Sequence, residues 1–161
     1  MLTQAELKSH LHYNPETGIF TRIKLCKGTK VGDIAGGKRT DGYVDIRVNG
    51  RKYKAHRLAW LYVNDEFPTN QIDHVSGIKD DNRIVNLREA TNQQNNFNTG
   101  AYKNNMSGFK GVAFNKARNK WLAKARLNGK VHHLGLFTTP KLASQSYQSF
   151  AALHHGEFYH G

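Results

Sequence analysis

Asp73 and His74 stand side by side at the head of a polar run, Ile72-Asp73-His74-Val75-Ser76-Gly77-Ile78-Lys79-Asp80-Asp81-Asn82-Arg83-Ile84-Val85-Asn86-Leu87-Arg88, which leads on to Asn95. These residue types suit hydrolysis of a phosphodiester. A histidine titrates near neutral pH, so it can take a proton from water. The charge that builds on the leaving oxygen calls for a divalent cation, held by hard oxygen ligands with positions left open for phosphate. Asp73 supplies an anion next to that base. Neighbours on a strand point to opposite faces, so the strand must end or twist here if both are to serve one phosphate. An amide oxygen from a following helix can complete the cation site, a tolerable ligand for magnesium and a poor one for zinc. Asp80 and Asp81, before Asn82, suit a turn that braces the loop rather than a cation ligand. His56 reads first as a residue near a helix start that pairs with a carboxylate, and second as an additional active-site residue.

The surrounding chain must position this run. Thr3 is a suitable N-cap for a short helix through Ala5-Glu6-Leu7-Lys8. A turn at Asn14-Pro15-Glu16-Thr17-Gly18 precedes a strand from Ile19 to Ile23. Two alternating runs, 43–48 and 51–55, flank Asn49-Gly50, the strongest short-range hairpin signal. His56 to Tyr62 reads as a helix with Leu58, Leu61 and Tyr62 inward, broken at Phe67-Pro68, and 71–75 reads as a strand. The amide run 92–99 is either a helix or a low-complexity linker. Beyond a boundary at 100–107, alternating runs at 109–115, 121–127 and 131–137 predict three strands, the last two turning at Asn128-Gly129. Thr139 and Pro140 then open a helix with Leu142, Ala143, Tyr147, Phe150 and Ala151 at helical spacing. The division is 1–54 (a strand-rich leader), 55–99 (the polar motif, packed with it), 100–107 (a linker) and 108–161 (a sheet-plus-helix domain). The fold class is α+β.

Charge points to the partner. The 161 residues carry a formal +12, which favours a polyanion. Residues 101–161 hold nine Lys and Arg against one acid, Glu157. In that tail Trp121, Ala123 and Ala125 fall on one side of a strand. Lys120, Leu122, Lys124 and Arg126 fall on the other, with Leu122 breaking the polar pattern. A small sheet with basic side chains on its open face fits a DNA major groove. One cysteine, Cys26, reads as packing, excludes an internal disulfide and fits a reducing compartment. The start lacks a signal-peptide core, and the longest apolar stretch, 58–63, is too short to span a bilayer. The expectation is a soluble cytoplasmic protein without a membrane partner. His10, His12, His154, His155 and His160 are expected to be solvated, since no cysteine or carboxylate frame gathers them.

Asp-His, the Asp-Asn-Arg-Ile-x-Asn-Leu-Arg run and the later Asn together resemble the HNH endonuclease family, in the phage and intron homing variety with a final Asn. The resemblance covers His56 to about Asn96. It implies a ββα-metal core with His74 as general base and Asp73 as metal ligand. Asn86 would orient the base or tie the loop, and Asn95 would be the second ligand, with Asn96 as its rival in register. It further implies Mg²⁺ or Mn²⁺ as cofactor and double-stranded DNA as substrate, in a phage protein acting in a bacterial host. One motif per chain makes nicking the simplest outcome; monomer and homodimer both stay open.

Phe109-Lys110-Gly111-Val112, Lys120-Trp121, Leu134 to Thr139 and Ala151 to Gly156 resemble the DNA-binding domain of plant APETALA/ethylene-response-factor proteins. That resemblance implies a three-stranded antiparallel sheet packed on one helix. It puts Lys110, Asn115, Lys124, Arg126 and His133 at DNA-contacting positions, with Lys116, Arg118 and Lys120 beside them. Ala113 stands where that family has Arg, and His133 where it has Trp, so the plant target sequence does not carry over.

Overall fold

The computed structural model describes residues 1–25, 28–101 and 104–159; Cys26 and His160 lie outside them. The chain divides into two compact units, Met1–Thr91 and Asn92–Gly161, of mixed α and β structure.

In the first unit, Thr3 caps α1 (Gln4–His10) through a reciprocal box with Glu6, which satisfies two backbone donors that a helix start leaves open. Strands β1 (Leu11–Asn14) and β2 (Ile19–Arg22) form a hairpin, its turn held by Asn14 Oδ1 accepting from the Glu16 and Thr17 amides. A three-stranded sheet follows, β3 (Gly37–Lys38), β4 (Val44–Val48) and β5 (Arg51–Lys54), in that order. Asn49 and Gly50 both take positive φ, 48° and 76°, as the expected tight hairpin turn requires.

Helix α2 (Ala55–Asn64) starts directly from β5 and stops at Asp65 in the left-handed region, two residues before the Phe67-Pro68 break. It buries Ala55, Leu58, Ala59 and Leu61 against Leu7, Leu11, Tyr13, Phe20, Ile46 and Val48. Each leucine buried there contributes roughly 1.5–3 kcal/mol, so this core is what fixes the start of α2 in space. The last pair in the unit, β6 (Gln71–His74) and β7 (Leu87–Ala90), is antiparallel, with His74 opposite Leu87 and Asp73 opposite Arg88.

In the second unit the amide run forms a helix, α3 (Asn92–Asn98). Strands β8 (Val112–Asn115), β9 (Lys120–Leu127) and β10 (Lys130–Phe137) form an antiparallel sheet with β9 central, and α4 (Pro140–His154) packs on it. Asn128 and Gly129 take φ of 50° and 77° at the β9–β10 turn. The Thr139 side chain accepts from the Leu142 amide, with Pro140 in the first helical position. The first strand begins at Val112 rather than Phe109, because Gly111 sits in the left-handed region, which an extended strand cannot use. A Cβ at Gly111 would collide with the Tyr147 ring, so glycine is required there twice over.

Val112, Ala123, Ala125, Ala143, Tyr147 and Ala151 are buried between sheet and helix. Leu142 departs from its expected place on that face and is 46% exposed. His155 departs further. Expected in solvent, it is 5% exposed, with its ring stacked on Phe97 at 3.7 Å and its pKa pushed down to about 4 by burial and then by nearby Lys110.

Candidate active site

The polar loop is built around where β6 stops. His74 is the last residue of that strand, and the chain turns at once, the Gly77 amide donating to the His74 carbonyl at 2.8 Å. Asp73, His74, Asn82 and Asn86 are all buried, from 3% to 6% exposed. Four buried polar side chains in one short loop need partners, and the partners show each residue's work. The Asn86 Oδ1 accepts from the Ser76 amide, and its Nδ2 donates to the Asp81 carbonyl, each at 2.8 Å. Asn86 therefore ties the two ends of the loop. Asp80 meets Lys38, and Asp81 meets Arg83 at 2.6–2.8 Å; both carboxylates brace the loop, as turn residues do.

Asn82 is the residue that meets the histidine. Its Nδ2 donates to the Asp80 carbonyl at 3.1 Å, which leaves Oδ1 facing His74 Nε2 at 3.5 Å. An amide oxygen only accepts, so a hydrogen bond here has Nε2 as its donor, the tautomer in which Nδ1 carries the lone pair. Burial lowers the His74 pKa, opposed by the Asn82 contact and the nearby Asp73, Asp81 and Asp80 carboxylates. The imidazole is thus neutral at neutral pH, the form a base needs.

The leader contributes directly to this arrangement. The Tyr13 hydroxyl donates to the Asn82 carbonyl at 2.7 Å, and the Ile84 amide donates to the Pro15 carbonyl at 3.2 Å. Gly18, at φ +72°, passes so close that a Cβ would lie 2.5 Å from the Arg83 nitrogen. Burial pushes the Tyr13 pKa up to about 12, which keeps its hydroxyl a donor.

On β7, Arg88 donates Nε–H to Asp73 Oδ2 at 2.9 Å, and a second guanidinium nitrogen approaches the same oxygen at 2.9 Å. This carboxylate is buried with a cation against it. His56 departs from the expected carboxylate pairing. It is 8% exposed, its buried Nδ1 has no hydrogen-bond partner among the described residues, and its ring stands nearly perpendicular to that of His74, centroids 5.1 Å apart at 86°. Burial, followed by the neighbouring His74 and Lys54, pushes its pKa down to about 3. Tyr43 closes the group, 5.3 Å from His56 and 5.9 Å from His74, with the Lys54 and Lys79 ammoniums 4.6 and 4.9 Å from its ring centre.

The HNH endonuclease family profile matches residues 53–97, the span that holds His56, Asp73, His74, Asn82, Asn86 and Arg88. The chain is 31% identical over 110 residues to Protein 3.8 of Escherichia phage T7, a match spanning 66% of this chain and 90% of that protein. Residues 53–97 of this chain are an HNH endonuclease family domain. It is also 34% identical over 109 residues to an uncharacterized HNH endonuclease of Acanthamoeba polyphaga mimivirus, over 66% of this chain and 56% of that protein. No solved structure matches.

The HNH match runs beyond the first unit into α3, which carries Asn95 and Asn96. Among the described residues no cluster of three or more His, Cys, Asp or Glu can hold a metal ion. Asp73 is a buried carboxylate, a hard oxygen donor of the kind that magnesium and manganese accept.

In the second unit, residues directly opposite across the ladders share a face. Asn115 faces Lys120, Lys124 faces His133, and Arg126 faces Val131, all on the side away from α4. A row of Ala113, Leu122 and Leu136 runs between the first two of these pairs, which accounts for Leu122 as part of a cross-strand apolar row. Lys116 and Arg118 occupy the β8–β9 turn, where Asn115 Oδ1 accepts from the Arg118 amide at 3.1 Å. Lys110 is placed differently. Its ammonium donates to the Asn96, Phe97 and Thr99 carbonyls at 2.5–2.8 Å, the end of α3 where a cation is favoured, and burial pulls its pKa down to about 8.

Of the residues not read from the sequence, Asn82 and Arg88 lie inside the polar run, and their polarity beside a base is the available signal. Tyr43 and Tyr13 carry none.

Proposed function

We propose that the protein is a metal-dependent DNA endonuclease of the homing type that cuts one strand per binding event. The observation that carries this reading is the buried, neutral His74, its Nδ1 lone pair on the ring edge away from Asn82, next to the buried Asp73 carboxylate at the end of β6. Asp73 would hold Mg²⁺ or Mn²⁺. Such an ion, when bound, offsets the negative charge that develops on the phosphate and leaving oxygen. His74 Nδ1 takes the proton from the attacking water. Asn82 holds the Nε2 proton in place throughout, so the ring keeps its tautomer as charge builds on it. Asn86 keeps the loop closed around both. Lys120, Lys124, Arg126 and His133 on the open sheet face, with Asn115, Lys116 and Arg118 beside them, would bind duplex DNA. The phage relative is in keeping with action in a bacterial host's cytoplasm, and no helix among the described residues is long and apolar enough to cross a membrane.

Supercoiled plasmid incubated with Mg²⁺, with Mn²⁺ or with chelator tests the reaction. Nicked circles in the metal arms and none with chelator are expected. Binding without cleavage under every metal would replace this reading with a DNA-binding regulator on a nuclease scaffold. Replacing Lys124 and Arg126 together with alanine is expected to weaken binding to all duplexes alike. It should also reduce the slope of log affinity against log salt by roughly 2, at about 0.9 for each phosphate that is no longer neutralised. An unchanged slope would remove these two residues from the interface.

A further inference from the structure

We propose that His56 is a positioning residue for strand cleavage, its buried ring setting the plane of the His74 imidazole. The inference rests on the reading of His74 as the general base. The Asn82 contact at Nε2, at 3.5 Å, is at the long limit for a hydrogen bond and by itself fixes one atom of the ring rather than its tilt. Tilt is a matter of packing. His56, Tyr43 and His74 form a closed triangle of rings with sides of 5.1, 5.3 and 5.9 Å, and the nearly perpendicular approach of His56 to His74 at 86° is the favoured geometry for aromatic edges.

The carrier is rigid. His56 is the second residue of α2, between the buried Ala55 and the fully buried Leu58 and Ala59, so it cannot move without moving the core. The lone pair that accepts the proton lies in the ring plane, and a base that is misaimed by about 1 Å loses on the order of a hundredfold in rate. His56 Nδ1 has no hydrogen-bond partner among the described residues, so what this side chain brings to His74 is a flat aromatic ring rather than a bond through that atom. Phenylalanine has the same flat ring. Leucine has similar bulk without it.

Single-turnover plasmid cleavage by the full chain at saturating enzyme separates these cases. H56F is expected to keep the wild-type rate within about threefold, whereas H56L falls about 10–100-fold with unchanged DNA affinity and melting temperature. An H56L protein as fast as wild type overturns the proposal, as does an H56F protein as slow as H56L. A second measurement needs no catalysis. In protein with ¹³C-labelled histidine, the His74 ring signal, assigned by its loss in H74A, should stay single and sharp in H56F but broaden or split in H56L. Identical His74 signals in all three proteins overturn the proposal even if H56L folds poorly. Failure of the underlying reading looks different: H74A would then cleave as well as wild type, whatever residue 56 is.

Discussion

Replacing His74 with alanine is expected to lower metal-dependent cleavage by about 10²–10⁴-fold, the usual share of a positioned general base, with DNA affinity little changed. The side chain is 4% exposed and sits at the end of a strand whose register with β7 is set by backbone bonding, so its loss should disturb the fold less than the chemistry. The wild-type pH profile gives a second check. Burial holds the His74 pKa below the ordinary 6.5, so the base form persists as pH falls past that value. Activity should rise with pH through a point below 6.5 and be flat above it, and kcat/KM, which reports the free enzyme, is the quantity to plot. In H74A this acid limb should disappear from whatever activity is left. Undiminished cleavage by H74A would end the assignment of His74 as the base.

The largest stability effect is expected at Arg88. Its side chain is 15% exposed and that of its partner Asp73 is 4% exposed, so alanine at 88 would leave a buried carboxylate without this counter-charge. Losing one partner of a buried pair costs about 3–5 kcal/mol, a large part of the total for a domain with an ordinary 5–15 kcal/mol of stability. Urea unfolding of the metal-free R88A protein should show that loss. Millimolar Mg²⁺ should return part of it, because a cation bound at Asp73 compensates the same charge and stabilises the folded state by mass action. The double variant D73N/R88A should recover most of the stability without metal and show no Mg²⁺ response. If Mg²⁺ leaves R88A unchanged, Asp73 is not a cation ligand.

Much of this protein is written in local pattern. The Asn49-Gly50 hairpin, the Thr3 and Thr139 caps and the strand ending at His74 each depend on residues a few positions apart, where turn chemistry and side-chain period act directly. A strand start at Phe109 fails because Gly111 takes left-handed backbone, which alternation alone does not reveal. Leu142 and His155 depart from expectation because exposure depends on what covers a residue, and helical spacing reports only which way it points.

The order of residues alone dictates the chemistry on offer: a histidine next to a carboxylate, amides at set distances behind them, and a tail in which nine basic residues meet one acid. It does not dictate the contacts that make His74 a base in one fixed tautomer. Asn82 rather than Asn86 meets the ring, Tyr13 holds Asn82 from 69 positions away, and His56 and Tyr43 wall it from α2 and from the residue before β4. Lys110 reads as a DNA contact in the sequence, and only the fold puts its ammonium on the carbonyls ending α3. The physical reason is the same in each case. Residue type and local period set what a side chain can do and which way it faces, whereas the path of the backbone between distant elements decides which atom it meets.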